Sequence, residues 1–555
     1  MDCADCLRRV WRRIDTTTSS RQRGQYSIER MCELSEYCQR TPLWQVLLVF
    51  LVSVLPSLAT IVALDSMPLQ DPYAGWDNNS VMWVRVFVGT FVLSVGVMLQ
   101  LRALVPAVSV TAKQSLSISV LLAVVFSLTA MLIAKCWVFP VPFMMLLANP
   151  PWSLTLFASV GLVAGCERLT SNPEILFQLK RFSNLINFAA LFLVIFPVYI
   201  TVFRSLEGVN QFAFIFVLPL LKMLLKKGMQ RIVADVEELV PAVIISVDFF
   251  NALFQAKCMQ TAGSIWTTVG IISIDAIQNI YSLRRLFGYM ADVEKQQEHD
   301  VEELFAYCVA LLRSPELLDL RALRVQSLKS ATLSPEKRAI LQHLRRLAQD
   351  GDPHCRDRPD LSFEDVGVNA VVPWSSVSVF AAKTLDVSPP KVVPLTGEAL
   401  AKSGLALQQQ TVVLKKTLEL LWRCESVLLV EYIEAAVPLV YGVSMSILYY
   451  LPNAKYYPGM TEMTPAKLHS TIVSILVYST LEFGSLIYLH VILKWKFQIS
   501  ALHQLAFVLE NQWLSIQGMF LAWVIIVLGF TLVHYGTRAS SSQCNDFTFK
   551  FEWIH

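Results

Sequence analysis

Apolar runs long enough to cross a lipid bilayer recur along this chain, and no other feature restricts its fold as strongly. The hydrocarbon core of a membrane is about 30 Å thick and takes roughly 20 helical residues to cross. Inside it an unpaired backbone group costs several kcal/mol, so the chain must satisfy its own amides and carbonyls, as a helix does. Such runs are read at Leu43 to Leu64, Val81 to Leu101, Leu116 to Ala134, Pro142 to Cys166, Leu185 to Phe203, Val209 to Leu225, Leu239 to Phe254 and Ser264 to Leu283. Three more follow at Val427 to Leu451, Thr471 to Leu493 and Ile516 to Tyr535. The expected fold is all-α: a polytopic helical membrane bundle of about eleven spans with a small, partly disordered helical cytosolic insert. Composition agrees, because 54% of the 555 residues are apolar and 16% charged, which is greasier than a water-soluble chain.

The spans divide the sequence. Residues 1–42 form a basic N-terminal region, 43–283 a first membrane block of about eight spans, 284–426 the insert, 427–535 a second block of about three spans, and 536–555 an aromatic tail. Pro150 and Pro151 interrupt the fourth run. The seventh and eighth are short and polar, and are read either as two spans or as one re-entrant hairpin.

Basic residues give the orientation. The N-terminal region contains Arg8, Arg9, Arg12, Arg13, Arg21, Arg23, Arg30 and Arg40, and even-numbered connections carry clusters such as Lys226, Lys227 and Arg231. Odd-numbered connections mostly carry one, as at Lys135, Arg204 and Lys257. Positive charge stays on the cytosolic side, so the N-terminus and the insert are expected there and the C-terminus on the far side. The first span is a retained signal anchor in this reading. The protein is expected in the plasma membrane or an endomembrane. Asn78, Asn79 and Ser80 form an N-x-S sequon on an outer loop, which makes Asn78 a glycosylation candidate.

Within the insert, Val301, Leu304, Phe305, Cys308 and Leu311 recur at helical spacing, and Ser334, Pro335 and Glu336 open a second helix through Leu341, Leu344 and Leu347. Residues 350–360 read as a loop, and His354 and Cys355 lack the further ligands a zinc site needs. Pro389, Pro390 and Pro394 mark a linker, after which Glu398 to Arg423 is helix-forming and runs toward the ninth span. With few apolar residues for a core of its own, the insert is expected to dock a cytosolic protein partner.

Ionisable and amide side chains inside spans ask for an explanation, because a charge at the bilayer centre costs about 2.5–3.5 kcal/mol on insertion scales. Asp248 and Asn251 lie in the seventh span, Asp275, Gln278 and Asn279 in the eighth, Glu431 and Glu434 in the ninth, and Glu482 in the tenth. Spacings of three or four place each set on one helix face. Together they are the candidate intramembrane polar site, a pathway or site for a cation or small solute. The plainer alternative is structural pairing with Lys222, Arg284 or Arg423. Neither a metal-ligand set nor a cofactor fingerprint is read: Cys3 and Cys6 have no partner pair, and the histidines of the second block, His469, His490, His503 and His534, share no motif. One disulfide among Cys136, Cys258 and Cys544 is open. The tail alternates Phe547, Phe549, Phe551 and Trp553 with polar residues, a strand periodicity.

The stretches VEYIEAAVPLVYG (Val430 to Gly442), LEFGSLIYLHVIL (Leu481 to Leu493), ISALHQLAFVLE (Ile499 to Glu510), DFFNALFQAKCMQTAGSIWTT (Asp248 to Thr268) and the ending DFTFKFEWI resemble a large group of oomycete multi-pass membrane proteins. The resemblance implies a membrane architecture; the group has no established activity, so no residue role comes with it.

Two functions compete: a secondary transporter or channel acting through the intramembrane acids, and a membrane receptor or scaffold acting through the insert. No catalytic constellation suggests an enzyme, and no Walker sequence suggests a fused ATP motor. The lipid bilayer is the expected partner, and nucleic acid is not, since topology and anionic lipid account for the N-terminal arginines.

Overall fold

The computed structural model describes residues 24–165, 172–206, 208–233, 240–261, 265–295, 304–312, 323–325, 327, 333–350, 407–461, 463–529 and 532–535. Among them the regular structure is helical, with no strand. The helices are α1 (Ile28–Arg40), α2 (Leu43–Asp65), α3 (Ser80–Leu104), α4 (Ala112–Cys136), α5 (Met144–Ala164), α6 (Pro173–Ala190), α7 (Phe192–Ser205), α8 (Gly208–Phe214) and α9 (Val217–Ile232). They continue as α10 (Val240–Thr261), α11 (Ile265–Lys295), α12 (Leu304–Leu311), α13 (Pro335–Asp350), α14 (Leu407–Tyr450), α15 (Pro458–Thr461), α16 (Pro465–Phe497), α17 (Ala501–Asn511) and α18 (Trp513–Val524). The aromatic tail, the pair His354 and Cys355, Val301, Cys3, Cys6 and Cys544 all lie outside the described residues.

Among the described residues six helices are long and apolar enough to cross a membrane: α2, α3, α4, α5, residues Gln410–Tyr450 of α14, and α16. A seventh results if α17 and the segment Trp513–Gly529 count as one broken span, bent by 80°. The expected runs at Leu185 to Phe203 and Val209 to Leu225 do not form single spans. The first is divided at Leu191 between α6 and α7, and the second between α8 and α9. The polar segment before Leu185, which reads as a connection, is instead the start of α6: Asn172 accepts from the amide of Glu174 at 3.1 Å and Pro173 occupies the first position. The seventh and eighth runs are the separate helices α10 and α11, neither of which is among the six.

Local signals explain the clearest boundaries. Thr111 and Gln114 form a capping box at the start of α4. Thr464 caps α16 with Pro465 at its first position, and α16 ends at Gln498, whose φ of 54° is left-handed. Pro150 and Pro151 are accommodated inside α5, and Pro438 inside α14.

The chain divides into two compact units. The larger comprises Pro42–Asp292 and the described residues from Leu420 onward. In it α3 packs on α18 and on α4, α4 on α5, α2 on α17 and α18, α9 on α10, and α10 on α16 and α18. The α3–α18 crossing brings two backbones together. A Cβ on Gly96 would stand 2.6 Å from the Gly518 carbonyl oxygen, so both positions require glycine. Large apolar side chains face outward, among them Leu51 (57% exposed), Leu162 (77%) and Trp495 (78%). Polar and charged side chains are buried within. That distribution suits a lipid surround.

The smaller unit comprises Gln25–Thr41 with Val293–Glu419. The basic N-terminal region is therefore not a separate tail throughout: α1 belongs with the insert and packs on α12. Ser27 caps α1 by accepting from the amide of Arg30 at 3.2 Å. The amides of Ile28 and Glu29 donate to the carbonyls of Arg324 and Val325 at 2.9 and 3.2 Å, and Glu29 pairs with Arg345 at 3.2 Å. Ile28, Met31 and Leu34 of α1 are buried, as are Cys308, Leu311, Leu341 and Leu344. The apolar residues missing from the insert alone are thus supplied by α1. Residues 284–292, expected in the insert, instead continue α11 in the larger unit.

Candidate functional site

Most of the buried polar residues of interest reach one another by helical register. On α10, Asp248, Asn251 and Gln255 are three and four residues apart and share a face. Asp275 and Asn279 on α11, Glu431 and Glu434 on α14, and Tyr478 and Glu482 on α16 repeat the spacing. All are buried.

Two lysines of α9 enter from the side. Lys222 pairs with Oε1 of Glu434 and lies 3.4 Å from Oδ1 of Asp248. Lys226, one turn on, lies 2.6 Å from the same Asp248 oxygen. Two of the remaining carboxylates are held by neutral donors. The Tyr478 hydroxyl donates to Oδ2 of Asp275 at 2.5 Å and the Gln255 amide to its Oδ1 at 3.2 Å. The Asn279 amide donates to Oε2 of Glu482 at 2.5 Å. One carboxylate oxygen from each of Asp275, Glu434 and Glu482 lies within 4.8 Å of the other two.

The electrostatic consequence follows from the distances. Two like charges 4 Å apart repel by about 4 kcal/mol even at an effective dielectric constant near 20. Glu434 and Asp248 have ammonium partners, but among the described residues Asp275 and Glu482 have none. Carboxylates gathered with that deficit hold protons or a cation. Glu431, one turn before Glu434 on α14, is buried as well. Several buried atoms have no hydrogen-bond partner among the described residues: Oε2 of Glu434, Oδ2 of Asp248, and both amide atoms of Asn251. Each such group costs about 1–3 kcal/mol when left unsatisfied.

Of the residues expected from sequence, Asp248, Asp275, Asn279, Glu434 and Glu482 come together, Asn251 shares the α10 face, and Glu431 lies a turn away. Gln278 does not join them. It is half-buried and its amide turns back to the Ile274 carbonyl at 3.4 Å. The structural pairing expected as the alternative is present for Lys222, which binds two of the acids; Arg423 instead lies over the Tyr289 ring, 4.5 Å from its centroid. Lys226, Gln255 and Tyr478 were not legible as site residues. Lys226 reads as an orientation charge, and Tyr478 and Gln255 as ordinary helix residues, although both fall at helical spacing from acids already singled out.

A second buried ion pair ties other segments. Arg85 on α3 donates to Oδ1 of Asp65 at 2.6 Å, to the Leu64 carbonyl at 2.5 Å and to the Tyr457 hydroxyl at 2.7 Å. The Asn453 amide donates to the carbonyls of Asp65 and Met67 at 2.6 and 2.5 Å. Asp65, one residue past the expected run Leu43 to Leu64, is thus the buried end of α2. A separate apolar cavity of about 110 Å³ is lined by Phe126, Trp152, Met519 and Trp523, and none of its lining residues is ionisable. Asn78 is exposed, with its amide on the Ala74 carbonyl at 2.8 Å. Cys136 and Cys258 are not joined in a disulfide, the first being exposed and the second buried.

No protein-family model matches the chain, no curated protein is similar to it, and no solved structure matches it, so the site is characterised by its own geometry.

Proposed function

We propose that the chain is a secondary transporter or channel whose exchange site is the cluster of Lys222, Asp248, Asp275, Glu434 and Glu482. The observation that carries this reading is the unbalanced burial of Asp275 and Glu482 beside Glu434, all three in contact with other helices of the bundle through named hydrogen bonds or ion pairs. A purely structural site would balance its charges; one that takes up and releases cations, protons included, carries a deficit that the passenger fills. The accompanying topology has the N-terminus in the cytosol and eleven crossings. The segments from α6 to α11, which do not cross alone by length and composition, supply Lys222, Asp248 and Asp275, and the apolar spans α14 and α16 supply Glu434 and Glu482.

The test is flux in liposomes containing the purified full-length chain. Cation- or proton-coupled flux is expected, abolished in Asp275→Asn and Glu482→Gln variants that keep wild-type elution and melting behaviour. Full flux in both variants would remove the cluster from the pathway.

A second reading, a membrane scaffold, draws on the smaller unit, where α1, α12 and α13 build a folded body rather than a simple connection. Deleting residues 334–394, which removes α13, separates the two readings: a scaffold loses its partner while any flux is unchanged.

A further inference from the structure

We propose that Asp275, Glu434 and Glu482 form a binding site for one hard divalent cation, with the side-chain carbonyl of Asn251 as a further neutral oxygen. The proposal rests on the reading of this cluster as an exchange site and names what it holds. Metal–oxygen bonds of about 2.0–2.6 Å place the ligand oxygens of one ion roughly 3–5 Å apart. The three carboxylate oxygens here, all within 4.8 Å of one another, meet that requirement. The donors are oxygen only. Neither imidazole nor thiolate enters the group, which favours magnesium, calcium or manganese over zinc or copper.

The ligands are held in place by outer partners, as metal-binding carboxylates are. Gln255 and Tyr478 fix Asp275, and Asn279 fixes Glu482. Lys222 occupies only Oε1 of Glu434, which leaves the buried and unpartnered Oε2 for the ion. Asn251 supplies the independent indication. Its side chain is 1% exposed and both its amide atoms lack a partner, while its neighbours on the same face, Asp248 and Gln255, reach Lys226 and Asp275. The carbonyl oxygen of an amide so placed is open to a cation. The charge balance agrees, since a dication beside the two lysines offsets most of the negative charge of the five surrounding acids.

The experiment uses the full-length chain in detergent, stripped with EDTA and titrated with Mn²⁺ while free Mn²⁺ is followed by electron paramagnetic resonance. One Mn²⁺ per chain is expected, displaced by Ca²⁺ or Mg²⁺ and accompanied by a higher melting temperature. Asp275→Asn and Glu482→Gln are each expected to weaken binding at least about tenfold, and the exposed Asp77→Asn to leave it unchanged. Absence of a stoichiometric site in the wild-type chain overturns the proposal, and so does binding that both site variants retain. If the variants fail to fold, the wild-type titration and melting shift still decide. Flux assayed in parallel keeps the two readings apart: flux without Mn²⁺ binding rejects the metal site alone, and Mn²⁺ binding without flux rejects the transport reading alone.

Discussion

Lys222 shows how one side chain sets the terms for its neighbours. Its ammonium pairs with Glu434 and approaches Asp248, and removing one partner of a buried pair strands the other. Lys222→Met is therefore expected to destabilise the chain by about 3–5 kcal/mol, and adding Glu434→Gln to recover part of the loss; melting of the four proteins of that cycle in detergent checks both. Arg85 makes a different demand. Its guanidinium serves a carboxylate, a carbonyl and a hydroxyl at once, so Arg85→Lys is expected to lose about 1–3 kcal/mol, because one ammonium cannot reproduce the planar fork. Thiols in the smaller unit report burial directly: burial pushes Cys32 and Cys38 up to about 12. Only the thiolate reacts with maleimide, so at pH 8 Cys32 is expected to stay unlabelled until the protein unfolds, whereas exposed Cys136 labels at once. An impermeant maleimide applied to intact cells then reports which side of the membrane the end of α4 occupies, and labelling only after permeabilisation would reverse the proposed orientation. At this scale the acids were legible in the sequence because a carboxylate within an apolar run is rarely there for solubility. Lys226 was not, since a lysine near the end of a run has an ordinary explanation in topology.

Elements were legible where lipid alone dictates them. The apolar runs at Leu43 to Leu64 and Val81 to Leu101 match α2 and α3 closely, because an unbroken apolar surface and the need to close backbone hydrogen bonds leave no other choice. Where helices are polar the same reasoning loses its grip. Lys180 and Arg181 suggested a connection, yet they lie inside α6, whose start is fixed by Asn172 and Pro173 rather than by hydropathy. Nor does hydropathy reveal the 80° bend between α17 and the segment that follows, because both limbs are apolar. Packing between elements depends on details of another kind. Gly96 and Gly518 are ordinary in their local sequence and decisive only where α3 crosses α18. Gly96→Val is expected to cost at least about 1–3 kcal/mol through overpacking, with a lowered melting temperature. Gly484, around which no atom lies within 4 Å of an added Cβ, is the control expected to accept alanine with little change.

For the whole molecule, an all-helical chain with several apolar spans was legible from composition, but the membership of α1 in the smaller unit was not. Its arginines have a sufficient reason to be near a membrane, and nothing in a linear pattern shows that Ile28 and Glu29 bond to residues near 324. Deleting residues 25–41 is accordingly expected to expose Cys308 and the apolar side of α12 and α13, seen as faster proteolysis of the smaller unit, whereas loss of a mere orientation signal would leave it intact. The α3–α18 crossing has a consequence for biosynthesis. A ribosome delivers α3, which ends at Leu104, well before α18, which starts at Trp513, so this helix pair, the most extensive among the described residues, cannot form until α18 has been made. Until then Gly96 faces lipid or a temporary companion. Nascent chains ending before Trp513 should therefore linger with the insertion machinery, and a stop just before Trp513 should be as damaging as one near the middle of the bundle.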